Sequence, residues 1–272
     1  MKKKFPVISL LALTIIVVLC LACSLTMTKD PLYMDLAHCN EAPGRDFLFG
    51  TDEMGRDIFS MIWYGGRISL TVGFLAALIS TMLAVLVGSV SGCASARIDG
   101  VLMRLTELIL SVPGLLLTVS LQAVFGRADV YSLSVVIGLT GWMGMAKVVR
   151  TEVAQLGNTD FVLAAKCLGG RFFHVLFRHL APNLFPSVLF MAVMHVRNAI
   201  VAEAALSFMG LGLPVEVVSW GSMLSLAEQA LFSHAWWIIV IPGMFLTGTL
   251  LCLTNLGEYM RGSANKRHSN LG

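Results

Sequence analysis

The chain has 272 residues, 57% of them hydrophobic and only 13% charged, with a formal net charge of +3. Soluble domains carry about a quarter of their residues charged, and a chain this apolar would expose patches that water does not tolerate; a soluble globular domain is excluded and lipid is the natural solvent. Six cysteines, four of them in or beside long apolar runs, are not a secreted disulfide framework.

A bilayer core takes roughly 20 apolar residues per helix. Six stretches meet that length: Phe5–Met27, Ile68–Cys93, Val101–Phe125, Val130–Val149, Leu184–Met209 and Ala235–Leu256. The predicted organisation is an N-terminal transmembrane helix (1–27), an outer loop with an interfacial helix (28–67), a five-helix core (68–260) and a tail (261–272). The first run follows Lys2–Lys4 and ends in Cys20-Leu-Ala-Cys23. Its length favours a span over a lipoprotein leader, and the paired cysteines read as helix surface. Outer loop 28–67 carries seven acidic residues, and an interfacial helix is expected over Asp57–Tyr64. Ala84, Gly88 and Gly92 form a small-residue stripe in the second span, where another helix can approach closely. Gly138, Gly141 and Gly144 do the same in the fourth. Pro113-Gly114 should kink the third span, with neighbouring helices satisfying the freed carbonyl. The inner loop 151–183 is basic and partly amphipathic, and the outer loop 210–234 should hold a short helix over Met223–Phe232.

Orientation follows from the basic residues. With the N-terminus inside, thirteen Lys and Arg lie on the inner side and five on the outer, with Arg197 inside the fifth span. That asymmetry predicts cytoplasmic termini and an even number of spans.

The chain has no Gly-x-x-x-x-Gly-Lys-Ser/Thr loop to cradle nucleotide phosphates, no His-Glu-x-x-His, no Gly-x-Ser-x-Gly and no zinc-spaced Cys/His cluster. Polar groups at membrane depth are few: Glu107, His195, Arg197, Asn198 and Glu203. They form no arguable nucleophile–base pair, so an enzyme is not expected, no metal site is predicted and nothing suggests nucleic acid. On a helical wheel Met191, Met194, His195 and Asn198 share one face. His195, Asn198 and Glu203 are the candidate pathway-lining residues; the structural alternative is that Arg197 and Glu203 pair with a partner subunit or with helix ends. The methionines and His195 could ligate a soft metal or simply pack.

Two stretches go further. One is Phe49-Gly-Thr-Asp-Glu-Met-Gly-Arg-Asp-Ile-Phe-Ser60, continuing to Tyr64-Gly-Gly-Arg-Ile-Ser-Leu70; the other is Leu206-Ser-Phe-Met-Gly-Leu-Gly-Leu213, followed by Ser219-Trp-Gly-Ser-Met-Leu224. With Asp99-Gly-Val-Leu-Met-Arg104 and Pro113, they resemble the second permease subunit of the dipeptide/oligopeptide/nickel family of ABC importers, over residues 47 to 257. The resemblance implies an all-α integral membrane protein of the type I ABC importer permease fold. It implies several partners in the bacterial membrane: a homologous permease, two cytosolic ATPases and an extracytoplasmic substrate-binding protein. Lipid surrounds the permease. No cofactor belongs to this chain; ATP and Mg belong to the ATPases.

The family's cytoplasmic signature is matched at Ala164, Ala165, Gly169 and Pro182, while Leu163 and Ala181 depart from it. The resemblance makes this the coupling helix that docks on an ATPase. Ala164 and Ala165 favour helix, Gly169 can end it, and Arg171 begins the amphipathic stretch that follows. An interfacial helix on lipid is the alternative. In the outer motif, Gly50 and Gly55 allow tight turns around Thr51, Asp52, Arg56 and Asp57. The two readings are a structural knot, with Arg56 and Arg67 pairing with Asp52 or Asp57, and a docking surface for the binding protein. For the cargo, the short N-terminus and Leu163 lean towards nickel or a metal complex, with dipeptides or oligopeptides as the alternative. A membrane scaffold is the rival from another class.

Overall fold

The computed structural model describes residues 6–159, 162, 178, 180–214, 216–226 and 234–269, with side chains described as far as residue 262. Among these the regular elements are all helical.

Helix α1 (Val7–Leu21) is followed after Ala22 by a single turn, α2 (Cys23–Thr26). The sequence predicts one span over Phe5–Met27; the structure breaks it, leaving a 15-residue helix that is short for a bilayer on its own. Cys20 and Cys23 are buried against Ile58, Met61, Ile62, Trp63 and Trp220, so this pair packs inward and is not the helix surface expected.

Segment 28–57 runs into α3 (Ile58–Cys93) without a separate interfacial helix. The Asp57 carboxylate accepts from Ser60 N at 3.1 Å and caps α3. Residues 58–64 are therefore the first turns of one helix. Its 36 residues reach about 54 Å at 1.5 Å per residue, well beyond a bilayer core.

The expected kink at Pro113 is a full break. Helices α4 (Ala96–Leu110) and α5 (Gly114–Phe125) meet at 90°. Pro113 lacks an N–H and disfavours helical geometry at Val112, and Ser111 ends α4 by donating its hydroxyl to Leu108 O at 2.7 Å. Helix α6 (Val130–Leu156) starts at an Asp129–Ser132 capping box and continues past the predicted end of its span.

The small-residue stripe of α3 meets α6. A Cβ on Gly88 would stand 2.6 Å from Ala146 O, and one on Gly92 would stand 2.7 Å from Arg150 O. From α6, Gly138 faces Ile79 of α3, with 2.8 Å left for a Cβ. Gly144 has open space instead and takes no part in this contact.

Helix α7 (Ala181–Phe208) opens with Pro182 in its first turn, where a missing N–H costs no hydrogen bond. At its end the second motif folds back: Gly210 has φ +73°, and a Cβ on Gly212 would lie 2.4 Å from Ser207 Oγ. Short helix α8 (Trp220–Ser225), capped by Ser219, starts three residues before the predicted position. Helix α9 (Trp237–Ser269) closes the chain. Four of the described helices, α3, α6, α7 and α9, are long and apolar enough to span, and the bent pair α4–α5 adds a fifth only if it crosses as one broken span rather than as a re-entrant loop. Many leucines and valines of the spanning helices are exposed, among them Leu78, Leu86, Leu251 and Val201. Such faces suit lipid or a neighbouring helix rather than water.

Candidate functional site

A cleft of about 450 Å³ opens between α3, α5, α6 and α7. Ala76, Ala77 and Ser80 line it from α3, Gly114 and Thr118 from α5, and Thr140 and Gly141 from α6. His195, Arg197 and Asn198 line it from α7. Small residues open the space: a Cβ on Gly141 would sit 2.9 Å from Ser80 Oγ and 3.5 Å from His195 Nδ1. The hydroxyls are held by local bonds. Thr118 Oγ1 lies 3.1 Å from Thr140 Oγ1, and Ser80 donates to Gly138 O at 2.8 Å. Arg197 donates from Nε (3.2 Å) and Nη2 (2.7 Å) to Asn198 Oδ1, and Nη1 reaches Thr254 of α9 at 3.5 Å. The surface is mostly apolar with a few converging polar groups, which is the general character of small-molecule sites.

Of the three candidate pathway residues, His195 and Asn198 meet in this cleft and Glu203 does not. Glu203 is wholly buried behind it. Its carboxylate accepts from Ser69 (3.0 Å), Ser207 (2.9 Å) and Ser219 (2.7 Å). Trp220 N in turn donates to Ser69 Oγ at 3.2 Å. Glu203 therefore ties α3, α7 and α8 together, a role that its position in sequence did not reveal. Neither does Arg197 reach it; its partners among the described residues are Asn198 and Thr254. The methionine stripe divides as well: Met194 packs on Gly257 of α9, and Met191 packs against the Ala84–Val149 cluster.

In the first motif, the Arg56 guanidinium donates from Nε to Asp52 Oδ2 at 2.7 Å, both groups buried. Asp52 Oδ1 accepts from the backbone N–H groups of Met54 and Arg56 at 3.0 and 2.8 Å. Gly50 and Gly55 have φ of +77° and +71°, and a Cβ at Gly55 would stand 1.8 Å from Asp35 O. Thr51 donates to His38 O, and its carbonyl accepts from Trp237 Nε1 at 3.1 Å. Asp57 caps α3 and accepts from Thr28 Oγ1 at 3.1 Å. Arg67 pairs with neither aspartate; it reaches Cys23 Sγ at 3.7 Å.

On the far side of the molecule, Asp99 of α4 accepts from both Nε (2.9 Å) and Nη2 of Arg150 on α6, and Ser91 donates to Asp99 at 2.5 Å. Lys147 and Glu107 pair at 2.9 Å between the same helices. These charges were legible singly but their pairing was not, because the partners lie 40 and 51 residues apart on different helices. Of the coupling residues, Leu163, Ala164, Ala165, Gly169 and Arg171 lie outside the described residues; Pro182 is exposed in the first turn of α7.

An all-helical integral membrane protein with a cleft among its spans has the architecture of a permease. A family model described as the binding-protein-dependent transport system inner membrane component matches residues 84–259. The chain is 34% identical over 266 residues to the dipeptide transport system permease protein DppC of Bacillus subtilis, covering 98% of this chain and 83% of that protein. It is 33% identical over 265 residues to the oligopeptide transport system permease protein OppC of the same organism, covering 97% and 86%. A putative peptide permease protein of Brucella suis is 32% identical over 268 residues, covering 98% and 88%. The chain belongs to the family of binding-protein-dependent transport system inner membrane components and has their type I permease fold.

Proposed function

We propose that the chain is one of two permease subunits of an ATP-driven peptide importer, and that the α3–α5–α6–α7 cleft is its half of the translocation path. The observation that carries the cargo is the similarity, over nearly the whole chain, to permeases named for dipeptides and oligopeptides. That reverses the order of cargoes expected from the sequence, with peptide now ahead of nickel. The short N-terminus and Leu163 are thin grounds beside a similarity that covers 98% of the chain.

In this reading the termini are cytoplasmic and segment 28–57 faces outward with α8. A binding protein delivers the peptide there, and a homologous permease completes the path. Two ATPases bind Mg-ATP; this chain supplies no phosphate loop. Residues 151–183 carry ATPase closure into the helices through Ala164, Ala165 and Gly169. The knot around Asp52 and Arg56 holds the outer segment rigid, which suits a surface that a partner must find preformed.

The test is uptake of a labelled dipeptide and of nickel into vesicles holding the reconstituted complex and its binding protein. ATP-dependent dipeptide uptake is expected, abolished by Gly169→Trp. Nickel uptake without peptide uptake would overturn the cargo, and failure of any ATPase to associate would overturn the importer reading.

A further inference from the structure

Among the described residues the cleft holds a fixed positive charge without a fixed negative one. Arg197 is the 17th of the 28 residues of α7, about 24 Å from the first by helical rise, and so lies near mid-membrane. A charge at that depth is costly unless protein or water compensates it. Among the described residues no carboxylate pairs with Arg197, and none lines the cleft. The nearest buried carboxylate, six positions along the helix, is consumed by three serines. Asn198 Oδ1 takes Nε and Nη2 of the guanidinium, so the plane of the fork is fixed by a neutral acceptor. A neutral acceptor orients the cation without discharging it.

We infer that Arg197, positioned by Asn198, is the anchor for the C-terminal carboxylate of the peptide in transit. This rests on the peptide reading above. A free peptide always carries that carboxylate, whatever its side chains, and guanidinium meets carboxylate with matched geometry. Apart from His195, the rest of the described lining is small, apolar or hydroxylic and makes few demands on side-chain chemistry. A carrier of varied peptides needs such a division: one contact to the common group and a tolerant wall elsewhere. Thr254 of α9, touching Nη1, places the anchor beside a second spanning helix, so movement of α9 against α7 would alter the hold on the cargo.

The test uses the assembled complex in nanodiscs, without binding protein. Binding of alanyl-alanine and of its C-terminal amide is followed by saturation-transfer NMR. The wild type is expected to bind the free dipeptide roughly tenfold more tightly than the amide, the scale of one charge-assisted contact. Arg197→Gln should reduce the dipeptide to the amide's level while leaving the amide unchanged, which also shows that the variant is folded. Arg197→Lys should keep part of the preference. Asn198→Asp should erase it by discharging the cation in place. A wild-type ratio near one, a preference that survives Arg197→Gln, equal loss of both ligands, or no detectable binding to the wild type would each overturn the anchor. Vesicle uptake of the same dipeptide separates the two levels. Uptake by the wild type with no Arg197-dependent preference overturns the anchor alone, whereas its absence overturns the peptide reading on which the anchor rests.

Discussion

At the residue scale the most consequential side chain outside the cleft is Glu203. Three serine hydroxyls from three different segments converge on one buried carboxylate, and among the described residues no cation shares the site. Removing the acceptor strands three donors in low dielectric, and leaving buried groups unpaired costs more than a mean hydrogen bond contributes. Glu203→Ala should therefore destabilise the chain by about 3 kcal/mol, and Ser219→Ala, which removes one donor, by about 1 kcal/mol. Glu203→Gln should fall between them, since its amide can still accept from two hydroxyls. Denaturant midpoints of the purified chain in micelles check the order; equal, small effects would show that the three bonds carry no weight. Sequence reasoning found Glu203 as an unusual intramembrane acid and weighed path lining against a structural pairing, but named none of the serines that hold it. Ser69 and Ser219 lie 134 and 16 positions away, and serines in apolar runs give no sign of which acid they serve. The Asp52–Arg56 pair was legible for the opposite reason: its partners are four residues apart, flanked by glycines with positive φ, so local geometry alone brings them together.

At the element scale the axis of the fold is the α3–α6 contact. Gly88 and Gly92 admit α6 so closely that any larger residue meets backbone oxygen. Backbone cannot rotate away as a flexible side chain can, so Gly88→Val should separate the helices at a cost of about 3 kcal/mol. It should be read as loss of folded, monodisperse protein in detergent, while Gly144→Val, facing open space, should leave the yield unchanged. If both variants behave alike, the stripe is not the contact. The stripe was visible in sequence because small residues recur at helical spacing. Its partner was not, since period gives a face and never names what lies opposite. The boundaries that sequence missed share one physical origin. Hydropathy measures where a helix is apolar, not where its hydrogen bonds stop. So α3 and α6 run past their apolar limits, while α1 breaks inside one and the Pro113 segment turns through 90° within another.

At the scale of the whole molecule, the cleft ought to be separable from the machinery that drives it. Its lining is contributed by α3, α5, α6 and α7. The knot at segment 28–57 and α8 gather at one end, where Trp237 of α9 donates to Thr51 O and packs in one cluster with Trp220; the α4–α6 ion pairs lie elsewhere. Ala205 stands seven residues beyond Asn198, almost two full turns, and so faces the same space. An indole there would fill the cleft without touching the glycine contacts of α3 and α6. Ala205→Trp should cut dipeptide uptake by more than tenfold while ATPase stimulation by the binding protein survives, because the coupling segment and the outer segment are both left intact. Loss of transport and stimulation together would mean that an obstructed path feeds back on the ATPases, making the cleft part of the drive. Unchanged uptake would mean that peptides cross elsewhere, on the partner permease's side of the interface, and would leave Arg197 without a cargo to hold.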